Sequence, residues 1–65
     1  MYKLYAQNKQ AGWKLLKTDE DLDKLTLLGQ RLKPKEYFEY MIIEHTEKGD
    51  ATIRRQELYD EEYYR

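Results

Sequence analysis

Two segments near the start of the chain show the alternation of apolar and polar side chains that is typical of β-strands. In residues 2–7, apolar side chains such as Leu4 recur at every second position. Residues 8–12 are polar and end in glycine, which indicates a hairpin turn. Residues 13–17 then form a second short apolar stretch. The pattern predicts a β-hairpin at the start of the chain.

The next segment has the periodicity of an amphipathic helix. Its apolar stripe consists of Leu22, Leu25, Leu28 and Leu32. We expect Thr18 to cap the first turn and Asp21 to occupy the reciprocal position three residues later. Pro34 disfavours helical geometry in the residue before it, so the helix should end near Leu32. Gly29 either weakens the last turn or lets the helix approach the sheet closely.

The second half of the chain predicts another hairpin. Residues 37–45 are rich in aromatic and β-branched side chains, residues 46–50 form a turn, and residues 51–58 form a more polar edge strand. The order is therefore ββαββ, an α+β fold in which one helix packs on a four-stranded antiparallel sheet. We prefer the strand order 2-1-3-4 to 1-2-3-4. Residues 1–58 form one compact domain, and 59–65 form an acidic and aromatic tail.

One helix covers one face of such a sheet and leaves the other face open. The covered face is expected to contain Leu4, Ala6, Phe38, Tyr40, Ile42 and Ile53, joined by Trp13 and Leu15. The open face is expected to contain Tyr5, Leu16, Tyr37, Met41, Ile43 and Arg54, mixed with Lys3, Lys14, Glu39 and His45. Exposed faces of antiparallel sheets are usually polar, so these apolar residues indicate a binding surface. Alternatively, the tail folds back and covers this face with Tyr59, Tyr63 and Tyr64.

Composition removes most catalytic chemistry from consideration. The chain has 65 residues with no Cys and no Ser, so the commonest acyl-transfer nucleophiles and thiolate metal ligands are missing. His45 has no candidate nucleophile near it in sequence and is expected to be solvated or hydrogen-bonded. The acidic residues between positions 19 and 23 suit the positive end of a helix dipole. We expect no enzymatic activity, no cofactor and no metal.

The charges are balanced overall but unevenly distributed. Residues 1–36 hold eight Lys/Arg against five Asp/Glu, a net of +3, whereas residues 37–65 hold four against eight, a net of −4. The simpler interpretation is a solvated surface of mixed sign, and the alternative is two faces of opposite charge that steer a partner. The lack of Cys, of a signal peptide and of an apolar run of about 20 residues predicts a cytoplasmic protein without a membrane span.

Three hypotheses about function remain. The leading one is a non-enzymatic interaction module, an adaptor or inhibitor, that binds a protein partner or a second copy through the open face. The second is an acidic mimic of nucleic acid that inhibits a DNA-binding enzyme, as a phage or mobile-element protein would. Its phosphate-like groups would be Glu39, Glu44, Glu47, Glu57 and residues 60–62. The third is weak binding of single-stranded nucleic acid by Tyr5 together with Lys3, Arg54 and Arg55, which the balanced net charge and the acidic second half of the chain disfavour.

Overall fold

Four strands and one helix follow one another in the predicted order in the computed structural model, which describes residues 1–60. The first hairpin consists of β1 (Tyr2–Asn8) and β2 (Gly12–Asp19). The helix is α1 (Leu22–Gln30), and the second hairpin consists of β3 (Tyr37–Thr46) and β4 (Gly49–Glu57). The predicted covering role of the tail tyrosines at positions 63 and 64 lies outside the described residues.

The sheet has the strand order β2-β1-β3-β4, and all three neighbouring pairs are antiparallel. This confirms the α+β fold and the strand order 2-1-3-4. Both hairpin connections end at a glycine with positive φ, 78° at Gly12 and 122° at Gly49. Glycine adopts these angles without the steric cost that other residues meet. The helix packs on β1, β2 and β3 and crosses from one hairpin to the other.

The helix begins three residues later than the position that the sequence predicts. Asp21, not Thr18, is the N-cap, and its carboxylate accepts hydrogen bonds from the backbone N–H groups of Asp23 and Lys24 at 3.0 and 3.4 Å. Thr18 belongs to β2 instead, because pairing with β1 continues through Asp19. The helix ends at Gln30. Within residues 1–60, no helix has the length and apolar character that crossing a membrane requires.

The core lies between α1 and the two central strands. Its fully buried members are Leu4, Ala6, Leu25, Tyr40 and Ile42. Gly29 lies directly on the Tyr40 ring, since a Cβ at this glycine would be 2.5 Å from Cε2 of the tyrosine. The second interpretation of Gly29 is therefore the correct one, because only a residue without a side chain allows this approach. Of the leucine stripe, Leu22 and Leu32 pack against the core, whereas Leu28 is 38% exposed.

Three β-bulges interrupt the alternation of faces. The register between neighbouring strands shifts by one residue at Leu16 in β2, at Phe38 in β3 and at Ile53 in β4. Each of these residues is the extra residue of its bulge. It has no partner directly opposite on the neighbouring strand with which its own strand pairs. A bulge reverses which side chains face the core beyond it. A simple count of every second residue therefore assigns part of β2, β3 and β4 to the wrong face.

Candidate functional site: the open face of the sheet

The face of the sheet that lies opposite α1 presents three rows of side chains, each running across all four strands. We call it the open face, and the side packed under α1 the helix face. In the order β2, β1, β3, β4, the rows are Trp13–Gln7–Glu39–Glu57, Leu15–Tyr5–Met41–Arg55 and Thr18–Lys3–Ile43–Thr52. Alternation in antiparallel strands places these residues together because their neighbours Leu4, Ala6, Tyr40 and Ile42 point into the core.

The middle row forms an apolar band that ends in an arginine. Leu15 is 50% exposed, and it lies opposite Tyr5, which in turn lies opposite Met41. Tyr5 and Met41 are half-buried although α1 lies on the other side of the sheet, so their neighbours on the open face shield them. Ile43 extends the band into the next row. The open face thus carries a continuous apolar patch across its centre.

One end of the open face carries an ion pair beside an indole ring. Arg55 donates from Nη2 to Oε1 of Glu39 at 2.6 Å and from Nε to Oε2 at 3.4 Å. The hydrogen bond with Glu39 raises the pKa of Arg55 above its ordinary value. The guanidinium carbon also lies 5.8 Å from the centre of the Trp13 ring, within the range of a cation–π contact. Glu39 is only 9% exposed. Its negative charge is compensated by the two hydrogen bonds from Arg55.

Three of the six predicted partner-binding residues lie together on the open face. Tyr5 and Met41 are cross-strand neighbours, and Ile43 lies in the adjacent row. Leu16 is the extra residue of the β2 bulge, and Leu15 takes the place opposite Tyr5. The binding role of these residues stays a prediction, whereas their positions are established by the strand register.

The other two predicted residues, Tyr37 and Arg54, lie on the helix face, so their predicted placement is wrong. Tyr37 packs against the core because the bulge at Phe38 reverses the alternation at the start of β3. Arg54 is directed to the helix face by the bulge at Ile53. There it donates from Nε to the hydroxyl of Tyr40 at 2.9 Å.

The predicted partner-binding set leaves out three residues of the open face that could contact a partner: Trp13, Leu15 and Arg55. The first two were expected under α1, yet they lie opposite Gln7 and Tyr5. Counting outward from the turn would have placed them, because an antiparallel hairpin pairs residues symmetrically about its connection. No comparable signal exists for Arg55, since its position depends on the bulge at Ile53. The prediction for Lys14 is also wrong, because Lys14 lies opposite Ala6 and therefore on the helix face. Phe38 and Ile53 are bulge residues outside the buried core.

A hollow of about 570 Å³ borders the row that contains Glu39. It is lined by Gln7, Phe38, Glu39, Glu57, Leu58 and Tyr59. The carboxylate of Glu39 is already engaged by Arg55, so the lining offers no pair of free, converging acidic groups for acid–base catalysis. At the hollow, the backbone N–H of Leu58, the residue that follows β4, donates to the carbonyl of Phe38 at 2.8 Å. The chain then reaches Asp60, which pairs with Lys9 at 3.5 Å.

The acidic residues before the helix have structural partners. Asp19 accepts a hydrogen bond from the backbone N–H of Asp21 at 2.9 Å, and this bond lowers the pKa of Asp19. Asp21 caps the helix. His45 pairs through Nδ1 with Asp50 at 2.5 Å on the exposed second hairpin, in line with the expectation of a hydrogen-bonded histidine. Among residues 1–60, no three His, Asp or Glu side chains are grouped so that they could hold a metal ion.

No protein-family model matches this chain, and no curated protein or solved structure is detectably similar to it. Function is therefore inferred from the open face itself. That face brings together Trp13, Leu15, Tyr5, Met41 and Arg55, which are residue types found at interfaces.

Proposed function

We infer that this chain is a non-enzymatic interaction module that binds a protein partner through the open face of its sheet, as an adaptor or inhibitor. One observation carries the proposal: Trp13, Leu15, Tyr5 and Met41 form a continuous patch that no element within residues 1–60 covers. A cytoplasmic location belongs to the same proposal and rests on the absence of Cys.

The free energy of burial favours a partner on this patch. Removing one large apolar side chain from water stabilises by roughly 1.5–3 kcal/mol. Tyr, Trp, Met and Arg are the residue types that interfaces use most, and the open face contains each of them. A patch of this composition on the surface of a small chain therefore supports association more strongly than it supports isolated exposure.

The ion pair on the open face is compatible with burial under a partner. An unpaired charge would oppose binding, because its loss of water is expensive in a low-dielectric interface. Arg55 and Glu39 satisfy each other through two hydrogen bonds before any partner arrives. The apolar centre of the open face can therefore be covered without leaving these two charges uncompensated.

The edges of the sheet are less suited to binding than its face. Both edge strands carry a bulge, at Leu16 in β2 and at Ile53 in β4. A bulge disrupts the regular spacing of backbone groups that an added strand needs, and natural proteins use bulges to protect edges from pairing. The geometry thus favours a partner that packs on the open face over one that extends the sheet.

A matched pair of leucine substitutions tests the proposal. Leu15 on the open face and Leu27 on α1 are 50% and 48% exposed, so the same change removes a leucine of similar exposure at either site. We expect Leu15→Asp to abolish capture of the partner from the source organism and Leu27→Asp to preserve it, as measured by quantitative mass spectrometry. Circular dichroism checks that both variants are folded. Equal capture by the two variants would remove the open face as the binding surface.

The two alternative functions have less support. Glu39, a proposed phosphate mimic, is neutralised by Arg55. Arg54, a proposed nucleic-acid contact, lies on the helix face and bonds to Tyr40. A gel shift with single-stranded DNA and RNA at low salt should show no complex at micromolar protein. Salt-sensitive capture of a DNA-binding enzyme would instead favour the acidic mimic.

A further inference from the structure

We propose that the partner bound by the open face inserts an arginine side chain into the hollow at the end of that face, where its guanidinium meets the carboxylate of Glu57. Apolar residues beside this arginine would then cover Tyr5 and Met41. The inference rests on the proposed function and specifies the chemistry of the partner. Three observations carry it: the position of the hollow, the lack of an ion-pair partner for Glu57 within residues 1–60, and the distribution of charge along the open face.

The hollow is continuous with the open face. Three of its lining residues, Gln7, Glu39 and Glu57, belong to an outer row of that face, and the others close the end of the sheet. Its volume of about 570 Å³ lies within the range of sites that hold small molecules, roughly 300–1,000 Å³, so it has room for one long side chain. Neighbouring rows are about 7 Å apart along the strands, so one segment of a partner reaches both the hollow and the apolar band.

Glu57 is the carboxylate of the hollow that the fold leaves without a partner. The other lining carboxylate, that of Glu39, accepts both hydrogen bonds from Arg55. Within residues 1–60, Glu57 accepts no side-chain hydrogen bond and forms no ion pair. Its attraction to Arg55 is the smallest of the effects on the pKa of Arg55, behind the hydrogen bond with Glu39. An arriving cation therefore meets a carboxylate whose capacity to pair is unused.

The charge of Glu57 also works against the stability of the fold. Glu57 lies directly opposite Glu39 on the neighbouring strand. Like charges directly opposite each other destabilise a sheet. A charge that lacks a partner and opposes the fold breaks the consistency between sequence and structure, and such breaks are expected at functional sites. A cation bound at Glu57 would relieve this repulsion.

The rest of the lining suits an arginine better than another basic residue. A guanidinium binds a carboxylate through two parallel hydrogen bonds and is more weakly hydrated than the ammonium group of lysine. Gln7 adds an amide oxygen as a neutral acceptor. Phe38 and Leu58 supply apolar surface for the methylene stem, and Tyr59 adds an aromatic wall.

The charge along the open face decides which end of it receives the basic residue. The other charged residue of this face that has no ion pair within residues 1–60 is Lys3, which lies in the opposite outer row. It is about 14 Å from Gln7 along β1. A basic group is attracted at the Glu57 end and repelled at the Lys3 end, so the bound segment has one favoured direction.

Two small probes that differ in one charge test the site. n-Butylguanidinium reproduces the end of an arginine side chain, and N-butylurea has nearly the same shape without the charge. Each is titrated into the isotope-labelled chain at equal ionic strength, and NMR follows the chemical shifts. We expect saturable shifts at the backbone N–H groups of Leu58 and Tyr59 and at the side-chain amide of Gln7. Butylguanidinium should bind in the millimolar range, about fivefold or more tighter than butylurea.

Substitution of Glu57 shows whether the preference comes from its charge. Glu57→Gln removes the charge and keeps the shape of the side chain, so it should abolish the preference for butylguanidinium. Glu47→Gln is the matched control, because Glu47 is exposed in the turn between β3 and β4 at the far end of the sheet, and the net charge changes equally. It should leave the preference unchanged. Equal affinity for the two probes, the same preference in Glu57→Gln, or no saturable shift at the hollow would overturn the proposal.

The stability of the same variants separates a binding role of Glu57 from a structural one. Because Glu57 has no partner within residues 1–60 and lies opposite Glu39, Glu57→Gln should unfold at the same urea concentration as the natural chain or at a higher one. A clear loss of stability would show that the charge of Glu57 serves the fold, and would overturn its assignment to a ligand.

The failure of this inference is distinguishable from the failure of the proposed function. If the hollow does not prefer butylguanidinium, but Leu15→Asp abolishes capture of the partner and Leu27→Asp preserves it, the open face still binds a partner and the arginine is wrong. If the two leucine variants capture the partner equally, the proposed function fails whatever the probes show.

Discussion

The two faces of the sheet receive apolar side chains from the same strands but differ in what covers them. On the helix face, Leu4, Tyr40 and Ile42 are at most 1% exposed beneath α1. On the open face, Trp13 and Leu15 keep 40% and 50% of their surface exposed, and no element within residues 1–60 lies over them. The amount of apolar surface on a strand therefore does not distinguish a covered face from an open one. What separates the two faces within residues 1–60 is that α1 packs on one of them and not on the other.

Two consecutive arginines show the same difference at the level of hydrogen bonds. Arg54 points to the helix face, where it and Gln56 satisfy the hydroxyl of the buried Tyr40 at 2.9 Å each. Arg55 points to the open face, where it pairs with the carboxylate of Glu39. The first arginine completes the core by satisfying a buried polar group. The second compensates the charge of a carboxylate on the open face.

The largest expected effect distinguishes the faces at two adjacent residues of β3. Tyr40→Ala should destabilise by about 3–5 kcal/mol, the range for truncating a buried aromatic residue, which is a large share of the stability of so small a domain. Met41→Ala changes the next residue of β3, which lies on the open face. This change should lower the free energy of unfolding much less. Urea denaturation followed by circular dichroism measures both. Comparable losses at the two positions would show that the open face is part of the core.

An intermediate effect is expected where α1 touches the sheet. Gly29→Ala improves helix propensity by about 1 kcal/mol in isolation. Its new methyl group would overlap the Tyr40 ring, however, so we expect a net destabilisation of about 1–3 kcal/mol, as for other overpacked cores. Gln30→Ala, exposed in the same helix, is the control and should be nearly neutral. A Gly29→Ala variant that unfolds at higher urea than the natural chain would contradict the close approach.

The smallest expected effect concerns the residue that starts the helix. Asp21→Ala should lower the free energy of unfolding by about 0.5–2 kcal/mol, because two backbone N–H groups lose their acceptor. Thr18→Ala removes the cap that the sequence alone suggests, yet Thr18 lies on the open face opposite Lys3 and should be nearly silent. Thermal unfolding of the two variants measures the contrast. A larger loss at Thr18 would place the helix start where the sequence pattern put it.

Much of the fold was predictable because it depends on local patterns. The two hairpins follow from alternating side chains around glycine turns, and the helix follows from leucines at helical spacing. The strand order 2-1-3-4 was preferred to 1-2-3-4 because two local hairpins are joined by a crossover helix, and the structure confirms it. Of the open face, Tyr5, Met41 and Ile43 were placed correctly, because they lie in stretches of β1 and β3 where the alternation is regular.

By itself, the sequence determined the order of the elements, the position of both turns, the leucines of α1 and the absence of cysteine chemistry. Only the tertiary structure decided where the alternation of faces is interrupted. Leu16, Phe38 and Ile53 are the extra residues of three bulges, and the alternation of faces reverses between the two sides of each bulge. A bulge arises from the fit of one strand to its neighbours and to the helix, so no pattern within a single strand reveals it. That fit, and not the local alternation, placed Arg55 rather than Arg54 on the open face.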